Sequence, residues 1–248
     1  MRRLGALALG LAACLAHADE LEWQAPFITT PEEIVVRMLE MAGTRADDTV
    51  LDLGSGDGRI VIAAARRFGA RGLGIELDQA LVEKSRANAR AAGVEERVRF
   101  EQGDVLVADI SRASVITVYL LPALMGKLQS RFIAELQPGT RIVSHEFTMA
   151  GWLPDRSETV KLSAPHRGQG DLSRLHLWIV PADVRGTWVG AGRQVRIEQS
   201  YNRIEVEGAR NASISGREVR WDGFKGRVEG NRIVGELAGR PIELERAR

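Results

Sequence analysis

A glycine-rich turn between a strand and a helix constrains this chain more than any other feature. The segment runs Val50-Leu-Asp-Leu-Gly-Ser-Gly-Asp-Gly-Arg59 and has glycine at positions 54, 56 and 58. The apolar residues of Thr49–Leu53 predict a buried strand, and the apolar spacing within Arg59–Phe68 predicts a helix. Glycines at such a turn let the backbone approach a ligand closely, beside the first amides of the helix. The segment therefore predicts the first unit of a parallel sheet covered by helices.

Strands and helices continue to alternate after this unit. Short apolar runs predict further strands at residues 72–75, 98–101, 115–119 and 141–144, and helical spacing predicts helices at residues 79–91 and 124–136. Residues 159–162 and 174–180 predict a closing antiparallel pair. The pattern indicates an α/β fold with a doubly wound, Rossmann-like sheet.

The pattern changes from residue 183 onward. Short runs that alternate apolar and polar residues are separated by glycines, at residues 195–197, 203–206, 212–214, 219–221, 226–228 and 233–237. Such spacing predicts a small all-β domain, either a barrel or a sandwich. We therefore expect an α/β domain at residues 19–182 and a β domain at residues 183–248. The β domain either docks a partner through its modestly basic surface or covers an edge of the main sheet.

The first 18 residues have the three parts of a secretory signal peptide. Arg2 and Arg3 precede an apolar run at residues 4–16, and the run ends in Ala-His-Ala18. Cleavage after Ala18 predicts export, to the periplasm in a bacterium. Residues 11–14 (Leu-Ala-Ala-Cys) also resemble a lipoprotein signal, in which Cys14 is lipidated, so the cleavage site stays open.

The composition excludes several classes of protein. The 248 residues are 44% hydrophobic with a formal net charge of +1, which is typical of a globular chain. The near-neutral charge argues against a nucleic-acid binder, which usually has a basic face. No run approaches the roughly 20 apolar residues of a transmembrane helix.

Carboxylates next to the glycine turn indicate the kind of ligand. Asp52 and Asp57 flank the turn, Glu76 ends the next strand about 20 residues on, and Asp104 follows the third strand. Like charges at ~4 Å repel by about 4 kcal/mol at intermediate dielectric, so these acids disfavour a pyrophosphate. S-adenosylmethionine has no phosphate and carries a cationic sulfonium and ammonium. The acids therefore favour it over NAD(P) or ATP.

Each part of this cofactor has a candidate partner. Asp52 is placed to attract the cationic end, Glu76 to accept from the ribose hydroxyls, and Asp104 to accept from the adenine amine. Thr30 either closes over the cofactor or caps the helix that follows it, and Asp78 is expected to cap the helix at residues 79–91. The expected cofactor-binding set is Thr30, Asp52, Gly54, Ser55, Gly56, Gly58, Glu76 and Asp104.

Residues 27–150 resemble the class I S-adenosylmethionine-dependent methyltransferases, whose first motif matches Asp-Leu-Gly-Ser-Gly-Asp-Gly-Arg59. More narrowly, residues 26–31, 35–42, 52–59 and 74–76 are similar to the lysine methyltransferase family that includes the mitochondrial enzyme modifying the ATP synthase c subunit. The resemblance implies a sheet that ends in an antiparallel pair. It also implies methylation of a protein lysine or another amine, including a small molecule.

The methyl acceptor is expected beyond the fourth strand, at Tyr119-Leu-Leu-Pro122. Enzymes that methylate base amines usually have Asn/Asp-Pro-Pro-Tyr there, so this sequence argues against a nucleic-acid acceptor. Tyr119 either orients the acceptor amine or lines the cofactor pocket. His145 either accepts a proton or fixes the end of the fifth strand. His166 and His176 lack the spacing of metal ligands, so no metal is expected.

Export leaves two further hypotheses open, because S-adenosylmethionine is made in the cytosol. The chain is either a methyltransferase or an exported, non-catalytic protein that binds an adenosyl ligand. A third possibility is that Met1 is a wrong start and that the protein stays inside the cell.

Overall fold

The computed structural model describes residues 28–166 and 170–247 and contains two sheets. The predicted signal peptide, with Cys14, lies outside the described residues. Within these described ranges, four helices accompany the first sheet: α1 (Glu32–Met41), α2 (Arg59–Phe68), α3 (Gln79–Ala91) and α4 (Pro122–Glu135). None of the helices in the described ranges is long and apolar enough to cross a membrane.

The first sheet has seven strands and carries the site described below. Its strands are β1 (Thr49–Leu53), β2 (Arg71–Glu76), β3 (Val98–Gln102), β4 (Val115–Val118), β5 (Arg141–His145), β6 (Arg156–His166) and β7 (Gly170–Ile179). The order is β3-β2-β1-β4-β5-β7-β6, with β1 to β5 parallel and β7 antiparallel to both β5 and β6. The predicted α/β fold is therefore confirmed.

Both faces of this sheet are covered, which explains why the central strands β1, β4 and β5 are buried along nearly their whole length. Val50 packs with α1 and α2 on one face, whereas its neighbour Leu51 packs with α4 on the other. Such alternation is the two-residue period of a strand. The edge strand β6 is longer than predicted, because its first residues, Arg-Ser-Glu158, are polar and at least partly exposed and give no apolar signal.

The second sheet is an antiparallel, nearly closed, barrel-like sheet of eight strands. Its strands are β8 (Gly186–Gly190), β9 (Arg193–Ser200), β10 (Arg203–Val206), β11 (Ser213–Ser215), β12 (Glu218–Trp221), β13 (Phe224–Glu229), β14 (Arg232–Leu237) and β15 (Arg240–Arg246). The order is β10-β9-β8-β15-β14-β13-β12-β11, and the end strands β10 and β11 approach each other. The apolar pattern missed β8, which is short and bounded by glycines, and β15, which carries a proline and four charges.

The two sheets touch where the parallel strands of the first sheet begin. The rings of Trp152 and Tyr201 stack with centroids 5.6 Å apart and an interplanar angle of 6°. Asn202 Nδ2 donates to the carbonyl of Leu153 over 2.9 Å, and the amide of Ala182 donates to the carbonyl of Gly216 over 2.7 Å. These contacts lie at the opposite end of the sheet from the carboxyl ends of β1 to β4.

The Trp152–Tyr201 stack is expected to couple the unfolding of the two sheets. Tyr201→Ala removes the stacked ring, and we expect a loss of about 2–3 kcal/mol, from burial and from the aromatic pair. Tyr201→Phe keeps the ring and is expected to change stability by less than ~0.5 kcal/mol. Thermal unfolding followed by circular dichroism measures both. An unchanged midpoint in Tyr201→Ala would show that the stack contributes nothing.

Candidate cofactor-binding and active site

A cavity of 770 Å³ lies at the carboxyl ends of β1 to β4, where ligands bind in open parallel sheets. Its size falls within the range of about 300–1,000 Å³ that is usual for small-molecule sites. All but one of the predicted cofactor-binding residues line it, as does Tyr119: Thr30, Asp52, Gly54, Ser55, Gly56, Glu76 and Asp104. Gly58 lies just outside the lining. The sequence therefore located the cavity, and the individual roles stay predictions.

The glycine turn folds back on the end of β2. The amides of Gly54 and Ser55 both donate to the carbonyl of Ile75, at 2.9 and 3.0 Å. Gly58, at the start of α2, has φ +80°, and a Cβ there would lie 2.7 Å from the ring of Phe100 and 2.9 Å from Ser85 Cβ. Gly58 is therefore required by the packing of α2 against its neighbours.

Asp52 is a buried carboxyl group in the floor of the cavity. The Thr117 hydroxyl donates to Asp52 Oδ1 over 2.7 Å, and the residue is only 3% exposed. Burial, together with the nearby charges of Glu76 and Asp57, raises the pKa of Asp52 to about 7 against the opposing effect of the hydrogen bond from Thr117. A cation bound beside Asp52 would favour its ionised form.

Asp57, unlike Asp52, forms an ion pair with an arginine of the same chain. Arg59 holds its carboxylate with both ends of the guanidinium, Nε to Oδ1 at 2.9 Å and Nη2 to Oδ2 at 2.7 Å. Burial opposes ionisation, but the hydrogen bonds and the positive charge of Arg59, with the charge of Lys84, together outweigh it and keep the pKa of Asp57 below its usual value. Arg59 also donates to the carbonyl of Thr30 over 2.8 Å. Its role in joining the turn to Thr30 was missed in the sequence.

The two other acids of the predicted set differ in how firmly they are held. Glu76 accepts from the amides of Gly56 (2.8 Å), Leu77 (2.8 Å) and Asp78 (3.1 Å), so its carboxylate is fixed at the cavity wall. Each carboxylate oxygen accepts about two hydrogen bonds, which leaves capacity for hydroxyls. Asp104 is exposed and accepts from an amide of its own loop. Asp78 caps α3 by accepting from the amide of Ala80, as predicted.

The lining fits a cofactor with several polar groups. Within the described parts of the chain, Ser55 Oγ is buried without a hydrogen-bond partner, and Ser55 lines the cavity. Buried hydroxyls are normally satisfied, so an unsatisfied one at a cavity wall suits a polar ligand. Metal binding has no such support, since residues 28–166 and 170–247 hold no cluster of three or more His, Cys, Asp or Glu side chains suited to an ion.

Arg131, on α4, holds the loop that carries Asp104. Its guanidinium donates to the carbonyls of Val105 (3.1 Å) and Ala108 (2.7 Å) and pairs with Glu135. We expect Arg131→Met to loosen this loop and to weaken S-adenosylmethionine binding about 5–10-fold, by the loss of charge-assisted hydrogen bonds. Isothermal titration measures the affinity, and Arg66→Met, at an exposed arginine on α2, is the matched control. Equal affinities in the two variants would contradict this role.

Tyr119 and His145 are close together but differ in their access to the cavity. Their ring centroids are 4.3 Å apart, and Tyr119 lines the cavity. His145 is completely buried, with Nδ1 3.3 Å from Thr30 Oγ1 and Nε2 3.2 Å from Ser173 Oγ. The Thr30 hydroxyl therefore pairs with His145, and no side chain among the described residues caps α1. His145 reaches the cavity through Thr30.

Comparisons with known proteins agree with this geometry. Residues 52–156 match the model of the ANTKMT methyltransferase domain. A protein-lysine N-methyltransferase of Saccharolobus islandicus is 42% identical over 138 residues, which are 55% of this chain and 84% of the archaeal protein. The lysine N-methyltransferase of the ATP synthase c subunit from Xenopus laevis is 35% identical, over 52% of this chain and 57% of the frog protein.

A solved structure gives the same result for the fold. The crystal structure of an RNA methyltransferase from Salinibacter ruber, in complex with S-adenosyl-L-homocysteine, is 49% identical with a TM-score of 0.57. The aligned region covers 63% of this chain and 96% of the Salinibacter chain. The non-catalytic alternative finds no support among these relatives. The chain belongs to the family of the ANTKMT methyltransferase domain and is an S-adenosylmethionine-dependent methyltransferase.

Proposed function

We propose that this enzyme transfers a methyl group to the side-chain amine of a protein lysine. The observation that carries the proposal is the 42% identity to a protein-lysine N-methyltransferase across 84% of that protein's length. The cavity suits a cationic acceptor because the acidic side chains of Glu76, Asp78 and Asp104 line it. A lysine ammonium is attracted to such an opening.

The residues of the cavity have distinct tasks in this proposal. The cofactor supplies an electrophilic methyl group on a cationic sulfur. Asp52 holds the cationic end of the cofactor, Glu76 its ribose hydroxyls and Asp104 its adenine amine, while Ser55 supplies a hydroxyl that has no hydrogen-bond partner within the described chain. Tyr119 aligns the acceptor nitrogen. Alignment of the two reactants supplies much of the rate of such a displacement.

RNA is the second candidate acceptor, because the Salinibacter ruber relative is described as an RNA methyltransferase. Two features of this chain argue against it. The segment after β4 reads Tyr119-Leu-Leu-Pro122 and lacks the Asn/Asp-Pro-Pro-Tyr sequence that holds a planar base amine. The carboxylates that line the cavity also repel the phosphates of a nucleic acid.

Label transfer to a cell extract separates the two acceptors. The enzyme is incubated with extract and S-adenosylmethionine that carries a tritiated methyl group, and the extract is then divided into protein and RNA fractions. We expect label in protein, recovered as methyllysine after acid hydrolysis, and none in RNA. The Asp52→Asn variant is the matched control and should give little label. Label confined to RNA would overturn the lysine proposal.

We also propose that the protein is exported through residues 1–18, with cleavage after Ala18. The export proposal is supported by the order of basic, apolar and small residues in residues 1–18. A fusion of residues 1–25 to a reporter that is active only outside the cytoplasm should be active, and Ala18→Pro should block its cleavage. An inactive fusion would favour an internal enzyme, and lipid labelling of Cys14 would favour the lipoprotein site.

Docking of a partner on the second sheet stays a prediction.

A further inference from the structure

His145 is a buried titratable group that cofactor binding does not explain. Both of its ring nitrogens face hydroxyl groups: Thr30 Oγ1 lies 3.3 Å from Nδ1, and Ser173 Oγ lies 3.2 Å from Nε2. Hydroxyls donate or accept, so they suit either neutral tautomer of the ring. An imidazole with this environment is able to receive a proton on one nitrogen and release another from the opposite nitrogen.

The two ring nitrogens of His145 face different parts of the protein: Nδ1 faces the cavity side and Nε2 faces a partly exposed carboxylate. Thr30 lines the cavity, whereas Glu146 Oε1 lies 3.8 Å from His145 Nε2 and its side chain is 15% exposed. Glu146 has a left-handed φ of +68°, which is uncommon for a residue other than glycine. Arg174 holds it there: its amide donates to Glu146 Oε1 over 2.8 Å, and its guanidinium donates to Oε2 over 3.1 Å. The fold therefore fixes a surface carboxylate beside the buried ring.

We propose that Thr30, His145 and Glu146 form a route that carries the proton of the acceptor amine from the cavity to the surface. The inference rests on the proposed lysine acceptor, since a lysine ammonium has no lone pair and must lose a proton before it attacks. The free amine forms a bond to the methyl carbon, and the carbon–sulfur bond breaks with its electron pair remaining on sulfur. Each transfer to an ammonium thus leaves one proton to be removed.

The proton moves through defined atoms. Thr30 Oγ1 takes it from the ammonium and passes its own proton to His145 Nδ1. The Glu146 carboxylate, whose Oε1 lies 3.8 Å from Nε2 at rest, then moves into hydrogen-bond distance and takes the proton of His145 Nε2, and water removes it. The charged and titratable groups around the route are Arg59, which donates to the Thr30 carbonyl and pairs with Asp57, Arg174, which pairs with Glu146, and His176 on β7, which also interacts with Glu146. Ser173 and the Tyr119 ring position the imidazole.

Glu146→Gln is the sharpest test, because glutamine keeps an oxygen for the Arg174 amide but takes no proton at neutral pH. Asp155→Asn is the matched control: Asp155 also accepts an amide of β7, that of Ile179 over 2.9 Å, but at the other end of the strand. His145→Asn removes the proton carrier itself. Rates of methyllysine formation are measured from about pH 6.5 to about pH 11, a range that spans the pKa of lysine, with whole-cell protein extract as the acceptor and saturating S-adenosylmethionine.

We expect Glu146→Gln and His145→Asn to be at least about tenfold slower than the wild type at about pH 7. The deficit should shrink towards about pH 11, where most of the lysine has lost its proton without help. Asp155→Asn should follow the wild type throughout. A Glu146→Gln rate equal to the wild type at neutral pH, or a deficit that is the same at every pH, would overturn the route. A wild type that forms no methyllysine would instead overturn the lysine acceptor, and the route with it.

Discussion

Replacing Asp52 with asparagine is expected to weaken S-adenosylmethionine binding about 30-fold or more. Asp52 is buried in the cavity floor, and within the described residues its side chain accepts from the Thr117 hydroxyl and from no cationic group. A hydrogen bond to a charged group contributes about 1.5–3 kcal/mol, and a buried charge that loses its partner costs more. Isothermal titration of both proteins at about pH 8, where Asp52 is ionised, measures the difference.

The pH dependence of binding gives a second readout of Asp52. Its pKa of about 7 means that the carboxyl group is mostly protonated at about pH 6 and ionised at about pH 8. The wild type should therefore bind the cationic cofactor about tenfold more tightly at the higher pH, with proton release near neutral pH. The affinity of Asp52→Asn should not change with pH in this way. The comparison therefore distinguishes the ionisation of Asp52 from the ionisation of the cofactor itself.

The same substitution should affect folding in the opposite direction. Because the pKa is raised in the folded state, the unfolded chain binds fewer protons between about pH 4 and pH 7, and the ligand-free protein loses stability as the pH rises through that window. Asp52→Asn removes this loss, so its melting temperature without cofactor should exceed that of the wild type above this window.

Asp78→Asn is the matched control for these measurements. Asp78 also lines the cavity, but its carboxylate caps α3, and asparagine caps helices equally well. We expect this variant to bind and melt like the wild type. If Asp78→Asn weakened binding as much as Asp52→Asn, the specific role of Asp52 would be wrong, since any lost charge would then have the same effect.

Gly58→Ala is expected to cost about 3 kcal/mol of stability and to disrupt the cofactor cavity. Two effects add at this position. Alanine at φ +80° costs about 1–2 kcal/mol, and its methyl group would overlap the Phe100 ring and the Ser85 side chain, which adds a similar amount. Urea denaturation followed by circular dichroism measures the loss, and titration with S-adenosylmethionine measures the binding.

Gly43→Ala separates the two effects. Gly43 has φ +60°, and no atom of the described residues lies within 4 Å of the position that a Cβ would take, so its substitution shows the cost of the backbone conformation alone. We expect about 1 kcal/mol there and unchanged cofactor binding. Equal losses at the two positions would mean that the packing of Gly58 against Phe100 does not matter. If that packing does limit stability, Phe100→Leu combined with Gly58→Ala should recover part of the stability that Gly58→Ala loses.

The first sheet was predictable because its central parallel strands β1, β4 and β5 are buried on both faces. Continuous apolar runs and helical spacing are local signals, and they locate β1 to β5 to within about two residues. Strands of the second sheet give a weaker signal, since each has one buried and one solvent-facing side. β15 reads Arg-Pro-Ile-Glu-Leu-Glu-Arg246, and burial of one face leaves its other residues free to be charged.

The cavity was predictable for a similar reason, since the ends of successive parallel strands meet at one edge of the sheet. Charge pairing inside it was not predictable. Asp52 and Asp57 look alike in the sequence, but Arg59 neutralises only Asp57. Arg131 lies more than 20 residues from the carbonyls that it holds, and His145 contacts Thr30 from the other end of the domain sequence. Such contacts depend on the folded chain and leave no local pattern.

The position of the barrel-like sheet limits how an acceptor is presented. That sheet is attached where β1 to β5 begin, whereas the cavity opens where they end, so the length of a strand separates the two. For the five residues of β1 this is about 16 Å. A partner protein bound to the barrel-like sheet would thus lie at the opposite end of the first sheet from the methyl donor. An acceptor lysine of that partner would need a flexible segment long enough to reach the cavity.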